Sequence, residues 1–166
     1  MKYYYSDLID KNRIPNDCVE FDCCNNNLTK LPILPTGLKY LYCENNNLIE
    51  LPILPESLIT LYCHYNNLTE LPILPQLLRE LHCNYNSLTE LPILSQSLIE
   101  LHCHWNNLTE LPILPQSLEY LYCGCNNIKY LLSENIYIIK TIYCNIMNNP
   151  LTINFTDNKE FINSLQ

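Results

Sequence analysis

Apolar residues recur along most of this chain at intervals of 3, 2, 5, 3 and 3 positions, and the whole series then starts again after 20 residues. Segments 38–57, 58–77, 78–97 and 98–117 align without gaps on L-x-x-L-x-C-x-x-N-x-L-x-x-L-P-x-L-P-x-x, and 118–131 matches its first two thirds. An earlier copy at 18–37 carries Cys18 and Phe21 in the first two Leu slots and then rejoins the pattern. Slots are numbered 1 to 20 from Leu38 below. After residue 131 the proline half is lost, and Ile139, Ile142 and Cys144 read as L-x-x-L-x-C with a one-residue insertion. A fixed period of this length marks stacked supersecondary units whose terminal copies must differ to cover an open apolar face. The expected organisation is an N-terminal cap over 1–17, six repeats over 18–131, and a degenerate seventh repeat with a C-terminal cap over 132–166.

Within each repeat, stretches such as Leu41-Tyr42-Cys43-Glu44 alternate inward and outward, which predicts a short strand. The other half, as in Leu51-Pro52-Ile53-Leu54-Pro55, excludes helix. Two prolines three residues apart remove donors and push the preceding residues toward extended geometry. The fold class that follows is a β solenoid with one parallel strand per turn, extended or polyproline-like segments on the other side, and little helix. At about 4.8 Å per strand the sheet extends on the order of 30 Å.

These residues resemble the leucine-rich repeat family, in its short 20-residue class with the Leu-Pro-x-Leu-Pro ending found in bacterial effectors of the YopM and IpaH kind; the resemblance covers roughly 18–131. It implies a parallel β-sheet on the concave face of the array. A second resemblance is compositional. Cysteine in slot 6, heavy use of Asn, Ile and Tyr, no Ala and a single Val are similar to leucine-rich repeat proteins of giant DNA viruses of the mimivirus type. Effectors of the IpaH kind carry a separate ubiquitin-ligase domain of several hundred residues, for which 166 residues leave no room, so that activity is not carried over.

Net charge is −8 without a local Lys/Arg cluster, which disfavours phosphate backbones, and no apolar run approaches the roughly 20 residues of a membrane span. Neither nucleic acid nor membrane is an expected partner. The N-terminus lacks an apolar signal core, so an intracellular, non-secreted protein is expected, in the host-cell cytoplasm if virus-encoded. In a reducing compartment the cysteine column of Cys23, Cys43, Cys63, Cys83, Cys103 and Cys123, continued by Cys144, reads as buried free thiols filling the place where other family members carry aliphatic residues. Cys18, Cys24 and Cys125 lie off this column. In the leucine-rich family the slot-9 asparagine, here Asn26, Asn46, Asn66, Asn86, Asn106 and Asn126, turns inward to satisfy the backbone. Slot 13 carries Glu50, Glu70, Glu90 and Glu110, a solvated flank.

Slots 2, 3, 5, 7 and 8 project from the concave face and vary most between repeats, which is where recognition belongs on a rigid scaffold. There Tyr42, Tyr62, Tyr65, His82, Tyr85, His102, His104, Trp105 and Tyr122 form a continuous aromatic and imidazole surface, with Trp105 as its expected anchor. His82, His102 and His104 with Glu80 and Glu100 have the chemistry of a transition-metal set, but an open face argues against it, and no metal ligands or cofactors are assigned. No nucleotide loop, catalytic triad or paired catalytic carboxylates rises above the repeat, so an enzyme is not expected. The expected function is a monomeric, non-enzymatic module that binds a protein partner on its concave face, as a viral factor acting on the host cell. A structural or virion component, or a metal-binding protein using the concave histidines, are the alternatives.

Overall fold

The computed structural model describes residues 1–8, 13–139 and 141–151. The final part of the expected C-terminal cap, 152–166, lies outside the described residues.

Eight strands form one parallel sheet in chain order: β1 (Lys2–Tyr4), β2 (Glu20–Asp22), β3 (Tyr40–Tyr42), β4 (Thr60–Tyr62), β5 (Glu80–His82), β6 (Glu100–His102), β7 (Tyr120–Tyr122) and β8 (Tyr143–Asn145). Each of β2 to β7 is three residues long and centres on the apolar slot 4, Phe21 or Leu, with its flanking residues turned outward. A slip of one residue would turn that slot to solvent, so burial of slot 4 holds the whole sheet in register. Leu41 faces Leu61, Leu61 faces Leu81, and so on along the array. The N-terminal segment adds its own strand to the sheet, β1 pairing with β2 through Lys2 and Glu20, Tyr3 and Phe21, Tyr4 and Asp22.

The core runs down the middle as columns of Leu in slots 1, 4, 11, 14 and 17 beside the slot-6 cysteines, which are fully buried. Proline does not fill slot 18 in every repeat. Ser95 replaces it in the fourth, is completely buried, and donates its hydroxyl to the Gln76 carbonyl at 2.7 Å, so the substitution leaves no polar atom stranded.

The end of the array differs from the sequence-based register. Leu121 pairs with Cys144 and Tyr122 with Asn145, so Cys144 stands in slot 4 rather than in the cysteine column, and Ile146, 1% exposed, fills slot 6. The last turn is therefore three residues longer than the others, not one. The extra length goes into α1 (Ser133–Ile139), the only α-helix among the described residues. It packs Ile136, Ile138 and Ile139 on the core, while Asn135 donates to the Pro112 carbonyl at 2.8 Å and accepts from the Leu114 amide at 2.8 Å.

Candidate functional site

The in-register sheet stacks every concave slot on its counterpart one strand away, so side-chain identity alone decides what each column does. Slot 5 forms an inner rail. The Tyr62 ring stacks on His82 (centroids 4.1 Å, interplanar 7°), His82 on His102 (4.0 Å, 14°), and His102 meets Tyr122 at 4.2 Å, while Tyr42 meets Tyr62 edge-on at 5.2 Å. Slot 8 forms an outer rail in which Tyr65 stacks on Tyr85 (4.3 Å, 10°) and Tyr85 on Trp105 (5.6 Å, 11°). His64 and His104 of slot 7 bridge the rails, His104 meeting Tyr85 edge-on at 5.5 Å. All nine aromatic and histidine residues singled out from the sequence therefore lie on one surface. Tyr65 and Trp105 are exposed; the others are half-buried against their neighbours.

The outer rail has a backbone property that periodicity does not reveal. Every slot-8 residue is left-handed: Asn25, Asn45, Tyr65, Tyr85, Trp105, Cys125 and, at the last turn, Asn148, with φ between 52° and 60°. Asn tolerates this region because its short amide bonds locally, whereas bulky side chains pay on the order of 1–2 kcal/mol there. The first two turns and the last use Asn, and the sixth repeat uses Cys125. The central turns carry Tyr, Tyr and Trp at the same strained position.

Electrostatics of the face follow from burial and its acidic neighbours. Desolvation pulls the pKa values of His64, His82, His102 and His104 below the ordinary imidazole value, so all four are neutral at pH 7. Desolvation and a hydrogen bond to Glu80, 2.8 Å from the hydroxyl to Oε2, raise that of Tyr62. Glu100 Oε1 lies 2.7 Å from His102 Nε2 and 3.3 Å from His82 Nε2. The Glu50, Glu70, Glu90 and Glu110 column is exposed on the flank, apart from the rails.

Two features escaped the sequence. A cleft of about 210 Å³ opens beside the proposed anchor, lined by His104, Trp105, Tyr122 and Cys125 on one side and Asn145, Met147 and Asn148 on the other. It depends on Gly124, where a β-carbon would sit 2.9 Å from the Met147 carbonyl oxygen; a glycine in an otherwise side-chain-bearing slot was the available signal. The second is an exposed apolar column in slot 16, Ile33, Ile53, Ile73, Ile93 and Ile113, between 62% and 91% exposed. An identical apolar residue every 20 positions in a slot that the core does not need was the signal for it.

Among solved structures the chain resembles YopM from Yersinia enterocolitica, with 34% identity and a TM-score of 0.80 over 85% of this chain and 31% of that one. It also resembles a Shigella effector leucine-rich repeat domain, with 29% identity and a TM-score of 0.72 over 91% of this chain and 76% of that domain. YopM from Yersinia pestis matches at 32% identity and a TM-score of 0.65, covering 82% and 45% respectively. The chain thus spans about a third of the length of the first of these proteins. No family model and no curated protein sequence matches it. The fold is that of a YopM-like leucine-rich repeat protein, an architecture of interaction modules.

Proposed function

We propose that the protein is an interaction module that docks a protein partner on its concave aromatic and histidine face, with Tyr85 and Trp105 at the centre of contact. The observation that carries this reading is the row of left-handed backbones. The first two turns and the last put Asn at slot 8, the sixth repeat puts Cys125 there, and the third to fifth hold Tyr65, Tyr85 and Trp105 at the same strained φ. Stacking offsets this strain by about 0.5–1.5 kcal/mol per aromatic pair, whereas the Asn turns do not incur it. Strain retained at the most exposed row of a surface is a mark of function rather than of stability. Aromatic residues with polar tips on a rigid sheet are also the side chains that dominate protein interfaces.

Membrane association through a spanning helix has no support, since no helix among the described residues is long and apolar enough to cross a bilayer. The proposed setting is the cytoplasm of a virus-infected host cell, an origin that rests on compositional resemblance alone. Photo-crosslinking tests the docking face directly. A crosslinker at position 85 should trap a protein partner from host lysate, and one at Glu70 on the flank should not. Equal yields at the two positions would refute the concave-face reading.

A further inference from the structure

The concave face brings together one set of metal-ligating atoms among the described residues: the donor atoms of His82, Glu100 and His102 all lie within 4.8 Å of one another. The Leu ladder creates this set. Because Leu81 is held opposite Leu101, His82 on β5 must stack against His102 on β6, and Glu100, two residues before His102 on the same strand, must project on the same face. His104, part of the set considered from sequence, is not a member, and Glu80 is engaged by the Tyr62 hydroxyl.

Hydrogen bonding leaves this arrangement incomplete. One oxygen, Glu100 Oε1, faces both imidazoles, yet only the His82 contact has hydrogen-bond geometry. His102 Nε2 is 2.7 Å from that oxygen but misaligned, and the atom is buried without a hydrogen-bond partner. Those imidazoles are the only basic side chains within 4 Å of the Glu100 carboxylate among the described residues, and Glu80 stands directly beside it on β5, so two carboxylates adjoin without a Lys or Arg counter-ion.

We infer that His82, Glu100 and His102 form a binding site for a divalent transition metal of the zinc type. Two imidazoles and a carboxylate are an established donor set for zinc, with the fourth position left to water. Tetrahedral bonds of about 2.0–2.1 Å set donor atoms roughly 3.3 Å apart. The His82–Glu100 distance of 3.3 Å already meets that spacing; the His102–Glu100 distance of 2.7 Å must open, and the two rings, stacked at 4.0 Å and 14°, must rotate so that their Nε2 lone pairs converge on the ion. The cation supplies the partner that His102 Nε2 lacks and offsets the paired carboxylates.

The test is titration of the full chain, reduced and stripped with a chelator, with zinc by calorimetry and with cobalt by absorption. One equivalent of zinc should bind, and Glu100→Gln and His82→Gln should each weaken it at least about tenfold while keeping the circular dichroism spectrum of the folded parent. Removing the accessible thiols, Cys24→Ser, Cys125→Ser and Cys144→Ser together, should leave binding intact. The cobalt form of the unmodified chain should show visible ligand-field bands without a thiolate charge-transfer band, a readout that depends on no variant. No saturable binding, unchanged affinity in both site variants, or a thiolate band in the cobalt spectrum would overturn the site.

Discussion

Asn66 donates its side-chain amide to the backbone carbonyl of Cys43, one full turn earlier, at 3.0 Å. The same amide donates to the Cys63 carbonyl at 3.1 Å, and its Oδ1 accepts from the Leu48 amide at 2.9 Å. Asn46, Asn86, Asn106 and Asn126 repeat the pattern, and Asn149 closes it at the last turn. Each asparagine thus ties two successive turns together where the chain leaves the sheet.

Removing such an amide leaves buried backbone groups unpaired. Asn106→Ala should lower the unfolding free energy by about 1–3 kcal/mol relative to Asn107→Ala, its exposed neighbour. Urea midpoints measure the difference, and coincident midpoints would contradict the ladder. Asn84 would be a poor control despite standing in a concave slot, because it is only 7% exposed.

None of the cysteines is bonded to another, and seven are buried, Cys18 among them. A thiol reagent should therefore label the native protein at no more than Cys24, Cys125 and Cys144, and the other seven only on denaturation. Cys24 should react slowly, since desolvation and hydrogen bonds to Glu44 and Asp22 keep it protonated. Fast native labelling of seven or more thiols would show the core to be open.

Stability should fall away on both sides of neutrality. The concave histidines have native pKa values below 6.5, so as pH drops below 6.5 the unfolded chain takes up protons that the folded chain refuses, and folding weakens. For the core thiols the sign reverses. Burial raises those of Cys23 and Cys83 to about 12 from 9.0, so above pH 9 the unfolded chain loses protons that the folded chain keeps, and folding weakens again. Melting temperatures in chelator-containing buffers from pH 4 to pH 10.5 should peak between about 6.5 and 9. A curve that rises steadily toward acid would contradict the neutral imidazoles.

How much of this was legible in the sequence depended on periodicity. The Leu and Cys columns recur in a fixed frame, so their burial and the parallel sheet followed from spacing. The inward turn of slot 9 followed instead from the leucine-rich resemblance, and it holds for Asn46, Asn66, Asn106 and Asn126 but not for Asn26, which is exposed at the first turn. Cys144 was misplaced because α1 lengthens the last turn by three residues, and a helix built from Ser133–Ile139 has no counterpart in the repeat to reveal it. The left-handed slot 8 was hidden for the opposite reason: Tyr65, Tyr85 and Trp105 contradict local preference, and only Asn25, Asn45 and Asn148 hinted at it. The slots place His82, His102, Glu80 and Glu100 on one face, but which carboxylate meets the imidazoles depends on side-chain rotamers: Glu80 turns to the Tyr62 hydroxyl and Glu100 to His82 and His102.

The central claim is that the aromatic rails bind a protein partner at some expense to stability. Trp105→Asn and Tyr85→Asn relieve left-handed strand exits and remove the proposed anchors together. The decisive measurement is capture from host lysate alongside thermal melts for both variants, with Glu70→Ala and Glu90→Ala as flank controls. Each aromatic variant should lose partner affinity by more than about 1–2 kcal/mol while its melting temperature stays level or rises, and the flank variants should bind like the parent. Undiminished capture by both aromatic variants, with capture lost in the flank variants, would contradict the account and move the binding surface to the acidic column.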